Sequence, residues 1–96
     1  MDFGLWTLDY TGRMDSLQKY VEQNRDVWLS ELSEFLRIPS ISTNPEYKEH
    51  VRRGAEFAIE ALKKAGIEKT ELIETKGHPL VYAEHLEAAG APTVLC

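Results

Sequence analysis

Chemistry needs groups that titrate, attack or ligate, and in this chain of 96 residues the notable ones are few and scattered: His50, His78, His85, Ser40, Ser42 and Cys96. The histidines fall on an expected helix, turn and strand, and no His-Glu-x-x-His or paired-cysteine spacing joins them. His85 and Glu87 alternate onto one side of an expected strand and could share a metal ion. Zinc takes three or four ligands, however, so two do not make a site. A nucleophilic serine needs a base within hydrogen-bond reach and an oxyanion site, and no Gly-x-Ser-x-Gly elbow surrounds Ser40 or Ser42. Turn and capping roles suit them, and Thr43, better. Cys96 has no adjacent base to lower its pKa. No glycine-rich phosphate loop is present. Trp28 and Phe35 could stack on a ligand, but they share a helical stripe with leucines and are expected to pack in a core. No catalytic, cofactor-binding or metal-ligating residue is therefore assigned.

The elements that would position these residues are easier to read. From Asp15 to about Leu36, the residues Leu17, Tyr20, Val21, Trp28, Leu32, Phe35 and Leu36 recur at spacings of three and four, which predicts a helix. Asp15 with Gln18 suits a capping box at its start, and Pro39 forces Ile38 out of the helical region at its end. A link through Ile38–Asn44 leads to a second helix, with Asn44 as N-cap, Pro45 at the first helical position and Gly66 as the left-handed closing residue. Its stripe is Tyr47, Val51, Ala55, Ala58, Ile59, Leu62 and Ala65. Gly54 on this helix points to a close approach by a neighbouring element, and Glu49–Arg53 and Glu60–Lys64 form a solvated face.

After Gly66 the period changes to two. Lys69–Thr75 and Leu80–Leu86 are expected strands joined by a turn at Lys76–Pro79, antiparallel to each other. Glu87–Pro92 turns into a third apolar strand, Thr93–Cys96, which looks interrupted within a sheet. The expected fold is α/β: two helices, a hairpin and a truncated strand, with the helices covering one face. Residues 1–13 show no clear period and are expected to be a disordered extension, the alternative being a docking arm through Phe3, Leu5, Trp6 and Leu8. Residues 14–96 form the structured part.

A net charge of −5, with basic residues interleaved among glutamates, argues against nucleic-acid or anionic-membrane partners. No apolar run reaches the length of a membrane span, and the acidic opening is unlike a secretory signal. A single cysteine fits a reducing cytoplasm, the expected location.

Several strings in order carry a resemblance. Phe35-Leu36-Arg37-Ile38-Pro39-Ser40-Ile41-Ser42 follows the first helix, Gly54-Ala55-Glu56-Phe57 lies in the second, and Pro79-Leu80-Val81-Tyr82-Ala83-Glu84 and Pro92-Thr93-Val94-Leu95-Cys96 come after. Over residues 16–96 the chain resembles the start of the cocatalytic zinc metallopeptidase family. That family includes carnosine-type dipeptidases, glutamate carboxypeptidase, acetylornithine deacetylase and succinyl-diaminopimelate desuccinylase, and the strand strings are most similar to the dipeptidase branch.

The resemblance implies a partial, N-terminal segment of a three-layer catalytic domain, in a parent that hydrolyses peptides or N-acyl amino acids with two zinc ions and is often homodimeric. In such enzymes the ions generate a hydroxide and polarise the scissile carbonyl while a glutamate moves the proton. The strand resembling Thr93–Cys96 runs in the family directly into a His-x-Asp metal-binding motif, so every family ligand and the catalytic glutamate would lie beyond Cys96. The expectation is an inactive segment without cofactor. The alternative is a non-enzymatic helix-and-sheet module that associates, with itself included, through the exposed edge of its last strand.

Overall fold

In the computed structural model the backbone is described from Phe3 to Cys96 and the side chains from Gly12 onward. In chain order come α1 (Phe3–Arg37), a single 3-10 turn (Pro45–Tyr47), α2 (Lys48–Lys64), β1 (Lys69–Ile73) and β2 (Leu80–Glu84). This is a small α/β protein with two helices and one two-stranded antiparallel sheet. It divides into two units, Met1–Glu34 and Phe35–Cys96.

The first unit is the body of α1. The helix begins at Phe3, so Asp15 lies within it and does not cap it. An aspartate side chain can cap only where helical hydrogen bonding starts, and here the ladder already passes through that position. The expected extension over residues 1–13, and the arm through Phe3, Leu5, Trp6 and Leu8, concern side chains that as far as Thr11 lie outside the described residues. Polar side chains along the helix fold back on its own carbonyls: Ser16 Oγ donates to Gly12 O at 3.0 Å, Asn24 Nδ2 to Tyr20 O at 2.8 Å and Ser33 Oγ to Leu29 O at 2.8 Å. The stripe of Leu17, Val21, Trp28 and Leu32 is present but exposed, Trp28 by 41%. Core packing was expected for Trp28. Its aromatic contact is instead with Tyr20, edge to face at 5.7 Å on the same helix. A helix alone in its unit has no second element against which to bury a face.

The second unit opens with the last turn of α1. Ile38 N–H still reaches Phe35 O at 3.1 Å, and two tight turns follow, Ser40 N–H to Ile38 O at 2.7 Å and Ile41 N–H to Pro39 O at 2.9 Å. Pro39, with its fixed φ and no donor, is the cause of the stop. Asn44 is extended and its Oδ1 accepts the Glu46 N–H at 3.1 Å, with Pro45 next to it, so the expected start of the second helix is realised through one 3-10 turn. At the far end Gly66 takes φ 93°, its N–H bonds Lys63 O at 3.0 Å and Ile67 N–H bonds Leu62 O at 3.0 Å. That pair of bonds is a Schellman closure, and only glycine enters its left-handed position without strain.

The expected stripe of α2 faces inward. Tyr47, Val51, Ala55, Ala58, Ile59 and Leu62 are half-buried, as are Leu72 of β1 and Val81 and Ala83 of β2, while Ala65 is exposed. One helix on one two-stranded sheet makes two thin layers, and Gly54 is the only fully buried residue among those described. A neighbouring element does approach it, as the sequence implied, but with room for a methyl, which would lie at ordinary contact distances of 3.7 Å from Ser40 Cβ and 3.8 Å from Phe35 Cε2. Phe35 in turn meets Phe57 with ring centroids 5.4 Å apart.

The hairpin pairs Lys69 with Glu84, Glu71 with Tyr82 and Ile73 with Leu80 on one face, and Thr70 with Ala83 and Leu72 with Val81 on the other. Both strands are two residues shorter than expected. The third strand is a correction, because Thr93–Cys96 is not paired with any strand and none of the non-ladder backbone hydrogen bonds involves residues 92–96. Before it, the expected turn forms, with Ala89 N–H on Glu87 O at 3.0 Å, Ala91 N–H on Ala88 O at 3.1 Å and Gly90 at φ 77°. A strand exists only through its ladder, and β propensity without a neighbour leaves extended chain.

Candidate functional site

Within the second unit, a shallow depression of about 650 Å³ lies where the end of α2 meets the ends of the hairpin, lined by Gly66, Glu68, Lys69, Glu84, His85, Leu86 and Glu87. The Schellman closure brings the chain from α2 into β1 and so sets Glu68 and Lys69 on one side. The end of β2 sets Glu84 to Glu87 on the other. His85 and Glu87 therefore do share a location, though they stand just past β2 and not on it.

The depression is organised around Glu84. Lys69, its cross-strand partner, forms an ion pair with Glu84 Oε1, and the Tyr82 hydroxyl donates to Glu84 Oε2 at 2.5 Å. Hydrogen bonding from Lys69 first, and from Tyr82 second, draws the Glu84 carboxyl below its usual range. In return the Glu84 hydrogen bond, reinforced by its charge, raises the Lys69 ammonium and the Tyr82 phenol above their ordinary values. A carboxylate with both oxygens engaged is a poor metal ligand and a poor base. Among the described residues no three of His, Cys, Asp or Glu are grouped to hold a metal ion. This triad is not legible in the sequence alone. Its signal is the opposite-charge cross-strand pair, readable only once the hairpin register is known.

His78 is brought to the loop that carries the two serines, but as a strut. Its Nε2 lies 2.9 Å from the carbonyl oxygen of Ser42, an acceptor, so that nitrogen carries the hydrogen and donates. The turn that presents it is held by Thr75, whose Oγ1 accepts from Gly77 N–H at 3.0 Å and donates to His78 O at 2.6 Å. Ser40 faces the Gly54 contact and Cys96 is exposed. No serine–histidine pair capable of nucleophilic attack results.

His50 stands on α2 beside Tyr47, ring centroids 5.6 Å apart. Its Nδ1, like Thr70 Oγ1 on β1, is buried without a hydrogen-bond partner. The charged link between α2 and the hairpin runs through Arg52, which bonds Glu74 at 2.5 Å and Glu56 at 3.5 Å. Spacing along the helix pointed to Glu49–Arg53 and Glu60–Lys64; Arg52–Glu56 has the same i, i+4 spacing, whereas Arg52–Glu74 joins two elements and is invisible to that rule.

No protein-family model, curated protein or solved structure matches this chain.

Proposed function

We propose that this chain is scaffold rather than machinery: the N-terminal segment of a zinc-dependent dipeptidase or related amidohydrolase of the cocatalytic type, inactive by itself. The observation that carries the reading is the order in which its strings fall on the elements. The Phe35–Ser42 string is the helix stop and tight loop. The Gly54–Phe57 string is where α2 meets that string, through Gly54 on Ser40 and Phe57 on Phe35. The Pro79–Glu84 string is the second strand of an antiparallel hairpin. Three of the four strings thus lie on a helix stop, a contact of α2 with the loop and a paired strand, while the fourth, Pro92–Cys96, stands unpaired.

The two zinc ions of such a parent do not fit the described residues. His85 and Glu87 share the depression with Glu68 and Glu84, but Glu84 is neutralised by Lys69 and Tyr82, and no group of three ligands forms. No hydrolytic step is assigned to this chain. Its contribution is positional: the α2 layer, joined to the hairpin region by the exposed Arg52–Glu74 pair, supports a hairpin beside which further strands could be laid.

Zinc binding and hydrolysis test this division of labour. The purified 96-residue protein, dialysed to equilibrium against zinc, is expected to retain well under one ion per chain and to leave dipeptides uncleaved. Tight stoichiometric zinc with metal-dependent cleavage would place the machinery in this chain and overturn the reading.

A further inference from the structure

The hairpin has two outer edges, and they differ in chemistry. The β1 edge carries Lys69 and Glu71, charges of the kind that keep sheet edges apart. The β2 edge, Leu80–Val81–Tyr82–Ala83–Glu84, has no lysine, proline or bulge, and its one charge is already paired with Lys69 and Tyr82. The same molecule holds the complement. Thr93–Cys96 is β-branched at Thr93 and Val94 and apolar from Val94 on, engages none of the non-ladder backbone hydrogen bonds, and leaves Val94 79% and Leu95 98% exposed. The turn at residues 87–91, closed by two hydrogen bonds and by Gly90 in the left-handed region, leaves that segment unpaired with its own β2.

We infer that the occupant of the β2 edge is a second copy of this chain: the Thr93–Cys96 segment of each protomer adds as a strand to β2 of the other. The exchange is reciprocal and closes a two-fold dimer, so neither protomer is left with an open ladder on that edge. Pro92, which lacks an N–H, stands just ahead of the paired stretch, where a proline is tolerated. Two four-residue additions make a small interface, so the dimer is weak and concentration-dependent. The inference uses only backbone ladders and exposure, and not the hydrolase reading, which would lay Thr93–Cys96 in a sheet of its own chain.

The test uses the intact chain in two ways. Sedimentation velocity across a range from micromolar to about millimolar protein, where small interfaces dissociate, is expected to show a monomer–dimer shift that Val94→Pro abolishes. Residue 94 is exposed and carries no ladder bond, so circular dichroism should find this variant folded. Independently, a spin label on Cys96, the chain's one cysteine, is mixed with isotope-labelled unmodified protein. It is expected to broaden the amides of Leu80–Glu84 in the other copy. A monomer throughout, dimerisation unchanged by Val94→Pro, or broadening confined to α1 would each overturn the inference.

Discussion

Glu84 is the residue on which most of the exposed polar structure converges. Its carboxyl sits below its ordinary value because Lys69 and Tyr82 bond its charged form, so the contribution it makes is present above the carboxylate range and lost as pH falls through its folded value. Lys69 and Tyr82 run the other way. Both are raised, so their contribution is complete below their ordinary values and lost as pH rises through the folded ones. Amide exchange of the hairpin should therefore be slowest, relative to the intrinsic rate, between the carboxylate and the phenol ranges, and Glu84→Gln should flatten the acid limb. An unchanged acid limb in that variant would remove Glu84 from the account. Thr70 offers a second test. Its Oγ1 is buried without a partner, and Thr70→Val keeps the shape while removing the polar atom. Denaturant unfolding should show a gain of roughly 1 kcal/mol, the low end of the cost of an unsatisfied buried group.

At the scale of elements, α2 carries one glycine within it and one just past its end, and they do different things. Gly54 has helical backbone, and an added methyl would meet Ser40 and Phe35 at ordinary contact distances of 3.7 and 3.8 Å. Gly54→Ala should stabilise by up to about 1 kcal/mol, the helix-propensity difference. Gly66 has open space around it but φ 93°, so Gly66→Ala should destabilise by about 1–2 kcal/mol through left-handed strain. The two variants should move the thermal midpoint in opposite directions, and equal effects would mean that space, not backbone conformation, governs both.

The same elements show what a sequence can disclose. Pro39, Asn44–Pro45 and Gly66 act within a few residues of themselves, and each stop and start they imply is in the structure. The hairpin and its antiparallel sense were equally legible from alternation and the Lys76–Pro79 turn. Asp15 was not, because an aspartate can cap a helix or lie within one, and only the backbone before it decides. Thr93–Cys96 was not, because strand residues declare a preference and a partner decides whether it is met. The Glu84 cluster was hidden for a related reason: Lys69 and Glu84 are distant in sequence, and the register that joins them is a tertiary fact.

For the whole molecule, surface is the dominant fact. Among the described residues no apolar side chain is fully buried, and α1 leaves Leu17, Val21, Trp28, Leu29 and Leu32 exposed. Exposed apolar surface on this scale ordinarily marks a surface that meets something else. The central proposal is that this chain is the N-terminal segment of a zinc hydrolase, whose metal ligands would follow the unpaired Thr93–Cys96 stretch. Sequencing the coding DNA past the codon for Cys96 tests it most directly. The account predicts a His-x-Asp triplet within the next few codons of one of the three frames, and the absence of that triplet from all three would contradict it.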